Sequence, residues 1–124
     1  MMPRIGIIED DPDIVEAITM ILEKEGFDIA SAANVDDALD LVKTEELDLI
    51  ILDVMLEEPD DGFYLANKFR KIGIESPIIM MTSIAQVTGY EFEKNDNLPI
   101  DEFLEKPVKP QVLLDKVNEI LKKQ

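Results

Sequence analysis

The segment "LIILDVMLEEPDDG", residues 49–62, decides the fold. Its first four residues are aliphatic throughout, which is typical of a strand that is buried on both faces of a sheet. The run ends in a single carboxylate, Asp53, and four of the nine residues after it in this segment are acidic. A buried strand with one acid at its end indicates a parallel sheet that carries a polar site at its carboxyl edge.

Short apolar runs alternate with segments of helical period, which predicts five strands with intervening helices. The runs at 4–8, 48–52 and 78–81 contain the wholly apolar stretches "IGII", "LIIL" and "IIMM" and are predicted to be central, whereas those at 27–32 and 101–104 mix in polar residues and suit the edges. Right-handed crossovers then favour the order 2-1-3-4-5. The predicted fold class is α/β, a doubly wound, flavodoxin-like five-stranded parallel sheet with helices on both faces.

Helix boundaries follow from capping residues. Asp11 is predicted to cap a helix that has Pro12 at its first position, and Pro110 opens the last helix. Gly26 and Gly73 follow two of the helical segments, where a left-handed backbone conformation is expected. The region 84–99 is rich in helix-breaking residues and predicts a short, irregular helix followed by a loop.

The composition restricts the classes of partner. The chain has 124 residues, which suits a single domain over 1–124, with 28 acidic and 12 basic residues and a net charge of −16. This charge disfavours direct binding to nucleic acid or to an anionic membrane and favours a cation or a basic protein surface. No run approaches the ~20 apolar residues of a membrane span, so a cytoplasmic location is expected. Without His or Cys, any chemistry depends on carboxylates, hydroxyls, amines and backbone groups.

Polar side chains follow four of the predicted strands at the edge where ligands bind in such sheets. They are Glu9, Asp10 and Asp11 after the first strand, Asp53 after the third, Thr82 and Ser83 after the fourth, and Lys106 after the fifth. Two carboxylates ~4 Å apart repel by about 4 kcal/mol at an effective dielectric of 20, so one is protonated or a cation lies between them. An open, all-oxygen site suits Mg²⁺. Singly, each residue also has an ordinary structural explanation; Asp11, for example, caps a helix.

Four motifs in this order resemble the receiver domains of two-component response regulators, which have the CheY-like fold. They are "IGIIEDDPD", "DLIILDVML", "PIIMMTS" and "FLEKPVKP", and the similarity runs from about Arg4 to Leu121. The resemblance implies that Asp53 is a phosphoacceptor, which takes a phosphoryl group from a sensor histidine kinase or a phosphotransfer protein. It implies a signalling domain that promotes its own phosphorylation and dephosphorylation, rather than an enzyme.

The resemblance also implies a set of ligands for Mg²⁺. Asp10 and Asp53 would contact the ion directly, Glu9 mainly through water, and Met55 through its backbone carbonyl. Negative charge added at Asp53 would then change a partner-binding face.

Three further residues have implied roles. Thr82 resembles the switch hydroxyl that turns toward the phosphoryl group, and Phe103 the switch aromatic that fills the vacated space. Lys106 resembles the lysine that pairs with a phosphoryl oxygen, and the bond from Lys106 to Pro107 is expected to be cis.

The segment after Asp53 departs from the family pattern. Glu57 stands where the family usually has Pro, and Gly62 comes nine residues after the acceptor rather than eight. An extra residue and four acids therefore predict an unusual, largely solvated loop. Met55 and Ile84 occupy the positions that tune reaction rates in the family, and their apolar side chains cannot orient an attacking water, which predicts slow autodephosphorylation.

Other interpretations remain open. A non-phosphorylated pseudo-receiver that acts as a protein interaction module is the main alternative. A Mg²⁺-dependent phosphatase of the haloacid-dehalogenase type needs a second Asp where Met55 stands. The region 84–100 is about two residues longer than usual, so the downstream protein target cannot be transferred from relatives. The sequence also leaves open a phosphorylation-dependent dimer and whether the receiver is part of a larger protein.

Overall fold

Five parallel strands form one sheet in the order β2-β1-β3-β4-β5, which confirms the predicted fold and topology. The structure is a computed structural model that describes residues 2–83 and 100–122, so the prediction for 84–99 lies outside the described residues. The strands are β1 (Arg4–Ile8), β2 (Asp28–Ala32), β3 (Leu49–Asp53), β4 (Ile78–Ser83) and β5 (Glu102–Lys106). The described helices are α1 (Pro12–Glu23), α2 (Val35–Thr44), α3 (Asp61–Lys71) and α4 (Pro110–Lys122).

Both faces of the sheet are covered, and β3 shows why its sequence is apolar throughout. Ile50 and Leu52 belong to a core that includes residues of α2 and α3, whereas Leu49 and Ile51 belong to a second core with α1 and α4. All four side chains are fully buried. Because alternate residues of a strand point to opposite faces, a strand between two helical layers needs apolar residues at every position.

The helix ends agree with the capping signals. Asp11 accepts a hydrogen bond from the Asp13 amide at 2.9 Å, and Pro12 is the first residue of α1. Gly26 and Gly73 have φ angles of 91° and 90°, the left-handed conformation that glycine adopts at low cost. Because all five strands are parallel, their carboxyl ends and the residues beyond them lie at one edge of the sheet.

Three strands extend further than the sequence indicated. Asp53 is the last residue of β3, Thr82 lies within β4, and Lys106 is the last residue of β5. The ladder continues because Asp53 pairs with Met81 and Thr82 with Glu105. Asp53, Thr82 and Lys106 are therefore held by strand hydrogen bonding rather than by loops, which fixes their backbones more rigidly.

No helix among the described residues is both long enough and apolar enough to cross a membrane.

Candidate functional site

Three charged side chains meet beyond the carboxyl ends of the strands. Lys106 Nζ lies 2.8 Å from Glu9 Oε1 and 3.0 Å from Asp53 Oδ1. Glu9 directly follows β1, the neighbour of β3, whereas β5 is two strands away from β3. A long side chain such as lysine is needed to bring a cation from β5 across β4 to the two acids.

The two acids that Lys106 contacts are buried. Glu9 is 1% exposed and Asp53 is 2% exposed. Burial, followed by the neighbouring Asp53 carboxyl, raises the pKa of Glu9 above its ordinary value, although Lys106 opposes the shift. For Lys106, burial alone would lower the pKa, but the two carboxylates outweigh burial and raise the pKa overall. The lysine is thus held in its charged form between two acids.

Glu9 also organises the chain that follows β1. Its Oε2 accepts hydrogen bonds from the backbone amides of Asp10 at 2.9 Å and Asp11 at 3.3 Å. One carboxylate therefore fixes the turn into α1 with one oxygen and pairs with Lys106 through the other. These contacts occupy Glu9, which leaves Asp10 and Asp53 as the acids of this cluster better placed to serve a ligand directly.

Asp10 completes a cluster of three acids. Glu9, Asp10 and Asp53 each offer a carboxylate oxygen, and these oxygens lie within 4.8 Å of one another. Asp10 is exposed as a residue, yet partial desolvation of its carboxyl and then the proximity of Glu9 raise its pKa. Ionising these neighbouring carboxyls together is therefore unfavourable unless a cation offsets their charge.

The cluster fits Mg²⁺. Asp53 Oδ1 is buried and has no hydrogen-bond partner among the described residues, and its contact with Lys106 at 3.0 Å is an ion pair. Three carboxylates face one ammonium, so two negative charges are uncompensated when all four groups are ionised. Mg²⁺ prefers a few carboxylate oxygens and keeps several waters. The charge and the donor set both suit that ion.

Thr82 and Phe103 lie on the neighbouring strands β4 and β5. Thr82 is 4% exposed, and its hydroxyl donates a long hydrogen bond of 3.3 Å to the Ser83 carbonyl. Phe103 pairs with Met80 across the β4–β5 ladder and packs, partly buried, against the core beneath α2 and α3. Thr82 is two residues beyond Met80, so the hydroxyl and the aromatic ring project from the same face of the sheet. The peptide bond from Lys106 to Pro107 is cis.

The loop after Asp53 is less solvated than the sequence indicated. Val54 and Leu56 are 4% and 5% exposed and join the core beneath α2 and α3, because the apolar alternation of β3 continues past its last residue. Met55, between them, is 39% exposed. Gly62 approaches the strand so closely that a Cβ there would overlap the Asp53 carbonyl oxygen and lie 2.7 Å from the Cα atom of Val54.

Sequence reasoning missed a functional candidate in this loop. Asp61 is one of the four acids of the loop that is predicted to be largely solvated, but its carboxylate accepts hydrogen bonds from the backbone amides of Glu57 and Glu58. A signal was present in the sequence, because an acid in the first turn of a helix is well placed to bind free amides nearby. The extra residue in the loop obscured which of the acids would do so.

Comparisons with known proteins define the class to which this site belongs. The chain matches the family model described as response regulator receiver domain over residues 5–118 and therefore belongs to that family. It is 32% identical over 115 residues to the transcriptional regulatory protein DltR of Streptococcus agalactiae, covering 93% of this chain and 50% of DltR. It is also 32% identical to the alkaline phosphatase synthesis transcriptional regulatory protein PhoP of Bacillus subtilis, covering 99% of this chain and 50% of PhoP. The chain thus spans about half the length of these curated relatives.

Solved structures show the same likeness. A CheY-like receiver domain protein from Methanospirillum hungatei superposes with a TM-score of 0.82 at 28% identity, covering 99% of this chain and 96% of that one. The response regulator TrrA of Thermotoga maritima, solved in complex with Mg²⁺-BeF, has a TM-score of 0.80 at 28% identity and covers 96% and 99% of the two chains.

Proposed function

We propose that the chain is a phosphoacceptor receiver domain that takes a phosphoryl group onto Asp53 and requires Mg²⁺ to do so. The observation that carries this proposal is the Asp53 carboxylate itself. It is buried at the end of a central strand and lies 3.0 Å from a lysine, and its Oδ1 atom has no hydrogen-bond partner among the described residues. A buried, incompletely satisfied carboxylate is costly for folding alone and is typical of a reactive site.

The chemistry follows from these residues. A carboxylate oxygen of Asp53 attacks the phosphorus of a phosphohistidine, the phosphorus–nitrogen bond breaks, and the imidazole leaves with the electron pair. The product is an acyl phosphate on Asp53, which water later hydrolyses to phosphate and the free carboxylate. Lys106 is placed to neutralise a phosphoryl oxygen, and the Thr82 hydroxyl can turn to donate to another.

The bound cation would be held by Asp10, Asp53 and the Met55 carbonyl, with Glu9 acting through water. When bound, Mg²⁺ supplies positive charge that offsets the charge of the carboxylates and of the transferred group. Glu9 would still accept hydrogen bonds from the Asp10 amide and from Lys106, and so would orient both groups.

The proposed partners are a sensor histidine kinase or a phosphotransfer protein upstream and a protein target downstream. Phosphorylation would draw the Thr82 hydroxyl toward the new group and free space for Phe103, which would alter a partner-binding face and could promote a dimer. We further propose that the domain acts in the cytoplasm, without direct contact to nucleic acid or membrane.

The test compares the wild-type protein with Asp53→Ala in the presence of Mg²⁺ and acetyl phosphate, or Mg²⁺ and beryllofluoride. Wild type should gain one phosphoryl group, detected by intact mass, and should show changes in backbone amide resonances around Thr82 with beryllofluoride. Asp53→Ala should do neither. If wild type showed neither the mass gain nor the resonance changes, or if Asp53→Ala responded as strongly as wild type, a pseudo-receiver that serves as an interaction module would be favoured instead.

A further inference from the structure

The loop between β3 and α3 is closed by hydrogen bonds within its own backbone. The Gly62 amide donates to the Val54 carbonyl at 2.8 Å, and the Asp61 amide donates to the Glu58 carbonyl at 3.2 Å. The Val54 amide donates in turn to the Met81 carbonyl at 3.0 Å, which continues the ladder of β3. The loop therefore begins and ends on the strand that carries Asp53.

The carboxylate of Asp61, at the end of this loop, bonds back to two residues within it. Its Oδ2 atom accepts hydrogen bonds from the backbone amides of Glu57 at 3.0 Å and Glu58 at 2.7 Å. Bonds from amides to an ionised carboxylate are about twice as strong as bonds between neutral groups. Asp61 is also the first residue of α3, where the helix dipole favours negative charge.

Glu57 supplies one of the two amides that Asp61 accepts. It stands where receiver domains usually have proline, and proline has no amide hydrogen to donate. The Glu57 amide donates to Asp61, so a hydrogen bond here replaces the restriction of φ that proline would impose. The extra residue of the loop is thus accommodated by a side-chain contact.

The contact restricts the backbone next to the phosphoacceptor. Val54 and Leu56 are fixed by their buried side chains, and Asp61 fixes the next two residues, Glu57 and Glu58. Met55 lies between these anchors, directly beyond the residue bonded to Asp53. Its amide and carbonyl follow those of Val54 in the chain, and the carbonyl is a proposed ligand for the cation.

We propose that Asp61 is a positioning residue of the phosphoacceptor site, which holds the lengthened loop so that the backbone of Met55 faces the bound cation. This inference rests on the proposed function, since it assigns a support for the same site. Loss of the Asp61 carboxylate would release the amides of Glu57 and Glu58 and would leave the Met55 carbonyl less firmly positioned. Substitutions of residues that support metal ligands typically weaken metal affinity 10- to 100-fold, and we expect about tenfold here.

The experiment compares Asp61→Ala with Asp61→Asn. Both variants remove the negative charge, but the asparagine keeps a side-chain oxygen that can accept the two amides. Titration with Mg²⁺ alone, followed through backbone amide resonances, gives the affinity without any phosphoryl transfer. Asp61→Ala should bind Mg²⁺ about tenfold more weakly than wild type, whereas Asp61→Asn should stay within about threefold.

Hydrogen exchange of the metal-free protein gives a second readout. The Glu57 and Glu58 amides should exchange slowly in wild type and much faster in Asp61→Ala. The wild-type measurement needs no variant, so unprotected amides at both positions would overturn the proposal even if Asp61→Ala did not fold. Arg70→Ala, which loosens the opposite end of the sheet, controls for a general loss of stability and should leave the Mg²⁺ affinity unchanged.

The outcomes separate this proposal from the proposed function. Equal Mg²⁺ affinity in wild type and Asp61→Ala, where wild type is phosphorylated, would overturn the role of Asp61 and leave the phosphoacceptor intact. Equal weakening in the asparagine and alanine variants would assign the effect to charge and would also overturn it. A wild type that neither binds Mg²⁺ nor accepts a phosphoryl group would overturn the proposed function.

Discussion

The two ends of the parallel sheet carry the same kinds of charged side chains but satisfy them differently. At the amino end, Arg70 Nη1 donates to the carbonyls of Ile74 at 2.9 Å and Ser76 at 2.8 Å, and its Nη2 lies 3.4 Å from Asp101 Oδ2. The Asp101 carboxylate also accepts the Ile78 amide at 2.8 Å. These charges are partly exposed and well paired, as expected of groups that only hold strands in register.

At the carboxyl end, two carboxylates are buried and share a single ammonium group. Glu9 and Asp53 share Lys106, and Asp53 Oδ1 has no hydrogen bond among the described residues. The comparison teaches that residue type does not distinguish a structural ion pair from one proposed to be reactive. Arg4 Nε at the amino end also lacks a hydrogen bond, but the Arg4 side chain is 36% exposed, whereas Asp53 is 2% exposed. Burial of the whole residue without full satisfaction makes the distinction, because it costs stability that a purely structural pair has no reason to lose.

The largest expected effect is that of Lys106→Ala. Without the ammonium, Glu9 and Asp53 are buried together, so the free energy of unfolding at neutral pH should fall by about 3 kcal/mol. Phosphorylation by acetyl phosphate should slow about 100-fold, since a charge aimed at the transferred group is lost. Denaturant unfolding and the rate of mass gain measure the two effects.

Lys109→Ala is the matched control, because Lys109 is exposed near the same end of the sheet. It should be nearly silent in both assays. The stability loss in Lys106→Ala should also shrink as the pH is lowered, because the Glu9 carboxyl, whose pKa is raised, takes up a proton in the folded protein. Equal effects of the two lysine substitutions would show that the carboxyl end is an ordinary surface.

The amino end should show the opposite behaviour. Arg70→Ala removes two hydrogen bonds to carbonyls and one ion pair, so the free energy of unfolding should fall by about 2 kcal/mol. Phosphorylation and its Mg²⁺ dependence should not change. Thermal unfolding measures the loss of stability, and phosphorylation is measured well below the midpoint temperature of unfolding. If Arg70→Ala changed the Mg²⁺ concentration needed for phosphorylation by more than about threefold, the distinction between the two ends would be lost.

The smallest effect is expected from Met55→Asn. An amide in place of the apolar side chain can orient a water molecule near the acyl phosphate, so the phosphoryl group should decay several-fold faster than in wild type. Loss of label after removal of acetyl phosphate measures the decay. Met20→Asn, on the exposed face of α1, is the control, and equal or faster decay in wild type would refute slow autodephosphorylation.

The sequence predicted the sheet order because β1, β3 and β4 are apolar at almost every position, which only a strand covered on both faces requires. It also indicated which strand ends carry Glu9, Asp53 and Lys106, because parallel strands share one carboxyl edge. Their distances could not be predicted, since they depend on how far the Lys106 side chain reaches across β4.

The sequence was least informative in the loop after Asp53. Hydrophobic alternation was overlooked at Val54 and Leu56, because the acids after them suggested solvation. The role of Asp61 depends on a loop closure that brings it back to amides three and four residues earlier. Such local closure is set by backbone geometry, which residue type alone does not specify.

The most direct test of the central claim is to locate the phosphoryl group. Wild-type protein phosphorylated with acetyl phosphate and Mg²⁺ can be treated with borohydride, which reduces an aspartyl phosphate to homoserine, and the site can be read by peptide mass spectrometry. The account predicts that homoserine appears at Asp53 alone. Homoserine at Asp10 or Asp61 instead, or at no residue of the chain, would contradict it.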